Sequence, residues 1–117
     1  MDPWVYLVPG TTTAVQLSHY GYLIPMEDVL LCLLAANDDV LRHHGNQVIG
    51  RTELQYNSNG AELVFYPSRS MTWNTWGFAI MGLSVFVNTF EFVEFVFRVS
   101  SRGELVQGGQ GVLSSPA

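Results

Sequence analysis

"MTWNTWGFAIMGLSVFVNTF", residues 71–90, contains no charged side chain and includes two of the three tryptophans in the chain. At helical spacing, its apolar residues line two faces with only a thin polar strip between them. The first face comprises Trp76, Ile80, Leu83, Val87 and Phe90, and the second comprises Phe78, Met81 and Val85. A helix that is apolar nearly all round is covered on both sides. We therefore expect it to pack on a sheet, with a partner chain or a ligand on its other side.

A membrane span is the main alternative for this stretch. Its strictly apolar middle covers residues 76–87, interrupted by Ser84, whereas a spanning helix needs about twenty predominantly apolar residues. No basic residues gather at one flank to set an orientation in a bilayer. Gly77 and Gly82 each cost roughly 1 kcal/mol in a helix interior, which is tolerable where another element approaches closely. The pattern favours a buried helix over a membrane span.

A β-hairpin is predicted at residues 47–67, where an Asn-Gly dipeptide at 59–60 separates two runs of alternating hydrophobicity. This dipeptide favours a type I′ turn, in which both central residues have positive φ. Centring the turn there places Tyr56 opposite Leu63 on the core face.

A first helix is predicted from residue 26 to Gly45, with acidic residues in its first turn and glycine at its end. One face is expected to be buried and to be wide. It comprises Met26, Leu30, Leu33, Val40 and Leu41, widened by Leu31, Leu34 and Ala35.

The remaining segments predict strands. Residues 4–8 suit a buried strand, residues 14–24 an irregular strand or loop, and residues 91–99 alternate clearly. After a turn at 100–104, three glycines in the last strand indicate a bulge or a close backbone approach. The order predicts a single α+β domain over residues 1–117. Its sheet is antiparallel with two helices on one face, ferredoxin-like βαββαβ with an extra C-terminal strand.

Composition limits the function classes. Charged residues make up 13% of the chain, about half of the roughly 25% expected for a soluble domain. Low charge in a small domain predicts that some apolar surface is hidden, and we expect a homodimer or a large ligand pocket. The net charge is −5 and every cation is arginine. Nucleic-acid binding and lysine-dependent chemistry are therefore not expected.

The single cysteine, Cys32, is expected to be a buried, inert thiol. The N-terminal residues lack the pattern of a signal peptide, which makes the cytoplasm the expected location. No catalytic or cofactor motif occurs, and three histidines give no compact metal triad, so we expect neither a metal nor an organic cofactor.

The stretch "MTWNTWGFAIMGLSVFV", followed by "EFVEFVFRV" and a glycine-rich final strand, resembles a pattern in small uncharacterised proteins of filamentous fungi. The resemblance covers roughly the C-terminal half of the chain and depends on the Trp-x-x-Trp and Gly-Leu motifs. It implies no activity.

These observations predict a protein that binds a hydrophobic small molecule in an aromatic-lined pocket, as a cofactor-independent isomerase or cyclase of small-molecule biosynthesis. The candidate proton carriers are His19, Tyr20 and Glu53. The candidate ligand-binding residues are Tyr22, Tyr66, Trp73, Trp76 and Phe78. The alternatives are a non-catalytic protein-interaction module, which forms homodimers or heterodimers, and a membrane-peripheral protein. Ordinary core packing of the tryptophans is the simplest competing explanation.

Overall fold

The computed structural model describes residues 3–102 and 106–116. In chain order the elements are β1 (Trp4–Leu7), β2 (Thr13–Ser18), α1 (Met26–Leu41), β3 (Leu54–Ser58), β4 (Ala61–Pro67), α2 (Trp73–Thr89), β5 (Phe95–Arg102) and β6 (Val106–Ser114). The predicted turn at 100–104 lies partly in β5, and its remainder falls outside the described residues. The predicted α+β fold with two helices on an antiparallel sheet is confirmed.

The six strands form one antiparallel sheet in the order β1-β2-β5-β6-β4-β3. The segment from β2 to β5 is the predicted βαββαβ-like core, and β6 is the predicted extra strand. β6 lies between β5 and β4, so it completes the centre of the sheet. The prediction of a buried first strand is wrong. β1 is an edge strand whose Val5 and Leu7 are each 61% exposed, because they point to the sheet face that carries no helix.

The β3–β4 hairpin has the predicted register, with Tyr56 opposite Leu63. The predicted type I′ geometry is wrong, because neither residue 59 nor residue 60 has positive φ. Across the described residues, positive φ occurs at His19, Gly10 and Gly50. A Cβ at Gly60 would collide with the carboxylate of Asp28. The close approach of α1, rather than the backbone angles, favours glycine at this turn.

Helix α2 is capped by Thr72, whose side chain accepts a hydrogen bond from the Thr75 N–H. Its first predicted face is buried at Trp76, Ile80, Leu83 and Val87. A Cβ at Gly82 would lie 2.7 Å from Val15 of β2, and a Cβ at Gly77 would lie 3.3 Å from Val40 of α1. Helix α1 therefore packs against α2 beside Gly77. The second predicted face stays partly open, with Met81 54% exposed and Phe78 and Val85 half-buried, so its cover by a partner chain or a ligand stays a prediction. No helix in the described part of the chain is long and apolar enough to cross a membrane.

Helix α1 buries a narrower face than predicted. Its buried residues are Val29, Cys32, Leu33 and Ala36. Its exposed large apolar residues are Met26, Leu30, Leu31, Leu34 and Leu41. The prediction was wrong for these five and for Ala35, which is also exposed, because the face that packs on the rest of the chain is centred on the four buried residues instead. Cys32 is buried as expected, with its Sγ 3.5 Å from the carbonyl oxygens of Tyr56 and Ala61, and burial raises its pKa.

The centre of the core is an aromatic stack on glycine. The Trp76 indole lies parallel to the Phe65 ring, with centroids 4.2 Å apart, and Phe65 lies 5.7 Å from Phe97. Phe65 and Phe97 flank Gly111 of β6 in the sheet register. A Cβ at Gly111 would collide with the Phe97 ring and the Val64 carbonyl oxygen, and a Cβ at Gly109 would collide with the Phe65 ring, so the two rings fit because both positions are glycine. The predicted close backbone approach in the last strand is confirmed.

We predict that Gly111→Ala lowers the free energy of unfolding by about 2 kcal/mol, because the new methyl group must displace the Phe97 ring. Chemical denaturation measures the difference. The control is Gln110→Ala, an exposed neighbour on the same strand, which is expected to change stability by less than about 0.5 kcal/mol. Equal unfolding midpoints for the two variants would contradict the stack-on-glycine account.

Candidate functional site

An open cleft of about 610 Å³ lies where β1, the loop after β2 and the end of α2 meet. Its lining residues are Trp4, Tyr20, Gly21, Phe86, Thr89, Phe90, Glu91 and Val93. Trp4 reaches the cleft because β1 pairs antiparallel with β2, which places Trp4 opposite Leu17 and therefore beside the loop that follows β2. We call this site the aromatic cleft.

The rings of the aromatic cleft contact one another in a connected set. Trp4 meets Phe86 and Phe90 edge-on, with centroids 5.2 and 5.8 Å apart, and Tyr20 stacks on Phe86 at 5.6 Å. Phe86 and Phe90 are four residues apart, so they share one side of the last helical turn. Phe86 is 5% exposed, whereas Phe90 is 49% exposed. Phe86 therefore forms the floor of the cleft and Phe90 its rim.

The loop that carries Tyr20 leaves β2 through an unusual backbone angle. His19 has a φ of 55°, a conformation that is uncommon outside glycine. Its Nδ1 shares a hydrogen bond of 2.9 Å with the Ser18 hydroxyl. The Tyr20 hydroxyl donates to the Leu17 carbonyl at 3.1 Å. Tyr20 therefore offers the cleft its ring, while its hydroxyl proton is directed to the backbone.

Glu94 holds this loop against the last strand. Its carboxylate accepts hydrogen bonds from the backbone N–H groups of Ser115 at 3.0 Å and Tyr22 at 3.1 Å. Its own carbonyl accepts from the Gly21 N–H at 2.9 Å. The Ser115 and Tyr22 N–H groups lower the pKa of the Glu94 carboxyl, because both bonds favour the ionised form. The wall of the aromatic cleft is thus fastened by an ionised carboxylate.

Among the described lining residues, Glu91 is the one that carries a formal charge. A carboxylate beside aromatic rings accepts hydrogen bonds and favours positive charge in a bound molecule. Residues 3–102 and 106–116 contain no group of three His, Cys, Asp or Glu side chains that could hold a metal ion.

The three predicted proton carriers are not brought together. Tyr20 lines the cleft, and His19 precedes it with an exposed side chain. Glu53 precedes β3 at the opposite edge of the sheet, four strands from β2 and therefore about 19 Å away at about 4.8 Å per strand. Glu53 cannot act on a molecule held beside Tyr20.

The predicted ligand-binding tyrosines also lie apart. Tyr22 is 83% exposed and follows the cleft loop, whereas Tyr66 is 52% exposed in β4. Tyr66 is opposite Gln110, in the sheet row whose side chains face away from the helices. Phe78 is half-buried and lines a second cleft of about 520 Å³, whose other walls are mostly threonine and serine hydroxyls.

Trp73 and Trp76 are core residues. Trp73 is 1% exposed and stacks on His43 with centroids 4.0 Å apart. Its Nε1 has no hydrogen-bond partner among the described residues. Trp76 is fully buried, and its Nε1 donates to the Tyr56 hydroxyl at 3.4 Å. Ordinary packing accounts for both indoles.

Tyr56 links this core to a surface ion pair. Its hydroxyl donates to the Asp39 carboxylate at 2.8 Å, and Arg51 donates to the same oxygen at 3.1 Å. Burial is the main cause that raises the pKa of Tyr56. The hydroxyl therefore stays protonated and can donate to Asp39 while it accepts from Trp76.

Of the eight lining residues, the predicted site contained Tyr20 alone. The three aromatic residues that it missed are Trp4, Phe86 and Phe90. Phe86 and Phe90 carried a usable signal, since two phenylalanines four residues apart end the charge-free stretch. Trp4 carried none, because it joins them only through the pairing of β1 with β2.

No protein-family model, curated protein or solved structure matches this chain. Function is therefore argued from the geometry of the site.

We predict that Tyr56→Phe lowers the free energy of unfolding by about 1–2 kcal/mol, because it leaves the Trp76 N–H without an acceptor and leaves the Asp39 oxygen with Arg51 as its remaining donor. Denaturant titration measures the effect. Tyr66→Phe removes the same atom from an exposed tyrosine and is expected to be neutral.

The stabilisation that Tyr56 provides also depends on pH. A raised pKa means that the stabilisation by Tyr56 is fully present below the ordinary value of 10.0 and is lost as the pH rises above it. The stability difference between the wild type and Tyr56→Phe should therefore shrink above pH 10.0. A constant difference through that range would be inconsistent with the assignment.

The contribution of Glu94 to stability changes with pH in the opposite direction. A lowered pKa means that its contribution is present above the ordinary value of 4.5 and is lost as the pH falls through the folded value. Glu94→Gln should lower the melting temperature at neutral pH and flatten the acid side of the stability profile. Glu53→Gln, at an exposed position, should leave both unchanged. Identical profiles for the two variants would show that Glu94 does not fasten the loop.

Proposed function

We propose that this protein binds a flat, predominantly apolar small molecule in the aromatic cleft. The observation that carries the proposal is the open cleft of about 610 Å³ whose floor, wall and rim are aromatic rings. Small-molecule sites are typically concave, mostly apolar and roughly 300–1,000 Å³ in volume. Exposed aromatic surface costs free energy in water, and a planar ligand recovers it by stacking.

The polar groups of the cleft limit the ligand further. Glu91 and the Thr89 hydroxyl lie beside Phe90 at the end of α2. A carboxylate repels anions, and the whole chain carries a net charge of −5. The proposed ligand is therefore neutral or positively charged, with a hydrogen-bond donor at the end that faces Glu91.

Binding is proposed rather than isomerisation or cyclisation. Of the three candidate proton carriers only Tyr20 lines the cleft, and its hydroxyl donates to Leu17. A bound molecule would meet the ring of Tyr20 and the carboxylate of Glu91, an arrangement that supports recognition.

We predict that a panel of planar aromatic compounds will include one that quenches tryptophan emission saturably, because Trp4 lies at the cleft while Trp73 and Trp76 lie in the core. Trp4→Phe should remove most of the quenching. Phe90→Ala should weaken binding about tenfold, since it removes one stacking wall worth about 1 kcal/mol or more. Phe78→Ala, a matched substitution in the second cleft, should leave the affinity unchanged.

Charge provides a second comparison. Within the panel, an aromatic amine should bind more tightly than the aromatic carboxylate of the same size, and Glu91→Gln should reduce that preference. Absence of saturable binding across the panel would overturn the proposal. Binding that Phe78→Ala weakens and Phe90→Ala does not would move the ligand to the second cleft.

A further inference from the structure

The outward face of α1 is largely apolar, and nothing in residues 3–102 and 106–116 covers it. Met26, Leu30, Leu34 and Leu41 are 58%, 39%, 55% and 73% exposed. At about 100° per residue, all four fall within one quadrant of the helix surface. Asn37 is the one polar residue that shares this quadrant. We call this face the α1 seam.

The spacing along the α1 seam is that of a helix–helix contact. Leu30, Leu34, Asn37 and Leu41 follow one another at intervals of four, three and four residues. This alternation keeps a stripe on one side of a helix and is the spacing by which paired helices interlock their side chains. A single asparagine in such a stripe limits affinity but restricts the registers that are tolerated.

Opposite charges stand at the two ends of one flank of the α1 seam, and the exposed Asp38 lies between them on the same flank. Glu27 lies in the first turn of α1, and Arg42 caps its end. Both are exposed, and both lie on the same side of the seam at about 100° per residue. Neither forms an ion pair within the part of the chain that the structure describes.

We propose that a second copy of this chain docks on the α1 seam, with the two α1 helices antiparallel. About a two-fold axis between residues 35 and 36, Leu30 of one copy faces Leu41 of the other, and Leu34 of one copy faces Asn37 of the other, with the two Leu34 side chains on either side of the axis. Glu27 then lies beside Arg42 of the second copy, and the symmetry repeats this pair. In a parallel pair the two Glu27 side chains would lie at the same level on opposite flanks of the seam, as would the two Arg42 side chains, so no opposite charges would meet. The charge pattern therefore selects an antiparallel homodimer, and the inference is independent of the ligand proposal.

Sedimentation velocity of the full chain over a range of concentrations tests the proposal. The wild type should be a dimer at about 100 µM, in the micromolar affinity range of a small interface. Leu34→Glu should raise the dissociation constant at least about tenfold, since it places two carboxylates at the axis. Leu7→Glu, an equally exposed leucine on the sheet face without helices, should have no effect.

Charge exchange tests the antiparallel direction and does not depend on the folding of Leu34→Glu. Glu27→Arg alone and Arg42→Glu alone should each weaken the dimer about fivefold, because each turns two attractions into repulsions. The double variant should recover the wild-type dissociation constant.

Four results would overturn the proposal. A wild-type monomer at every concentration means that no second copy binds. A dimer that Leu7→Glu dissociates and Leu34→Glu does not places the interface on the sheet. A double variant no tighter than either single variant excludes the antiparallel arrangement, and a native mass spectrum showing α1-dependent association only with a different protein would replace the second copy as occupant.

Discussion

The contact of Trp76 with Phe65 and Phe97 across the bare backbone of Gly111 determines how α2 sits on the sheet. Two phenylalanine rings can lie side by side over β6 only because no side chain rises between them, and the indole then packs flat on the Phe65 ring. In this packing position of α2, Gly82 lies against Val15 of β2. It also fixes the height at which α1 can pack on α2.

Several apolar surfaces left over by this arrangement lie outside the core. The second face of α2 stays partly open at Met81, and Phe90 lies beside Trp4 beyond the last turn of this helix. Helix α1 turns most of its leucines outward, and the sheet face without helices exposes Val5 and Leu7. The low charge of the sequence thus corresponds to exposed apolar side chains, among them those of the aromatic cleft and the α1 seam.

Local patterns predicted most of the fold, because they report local physics. Alternation at Phe95, Phe97 and Val99 identified β5, and the Asn-Gly dipeptide located the hairpin with its correct register. The same dipeptide misled about backbone angles, because Gly60 is selected by contact with Asp28 of α1. That contact is tertiary and leaves no trace in the neighbouring residues.

The candidate site was less predictable for the same reason. A tryptophan in an apolar helix has one sequence pattern whether it lines a cavity or fills a core, and the structure buries both Trp73 and Trp76. The elements that α1 packs against decide which of its faces is buried, and the spacing of its hydrophobic residues alone does not identify that face. Trp4 joins Phe86 only through strand pairing, and hydrophobic period does not report which strands pair.

The position of β6 has a consequence for how the chain reaches its native state. Until residues 106–114 are in place, β1-β2-β5 and β4-β3 are two separate ribbons with nothing to hydrogen-bond them together. Without β6, the Phe65 and Phe97 rings have no shared strand on which to pack. The two ribbons become one sheet only through pairs that are far apart in the sequence, such as Phe65 with Gly111, and pairing of this kind is slow relative to local folding.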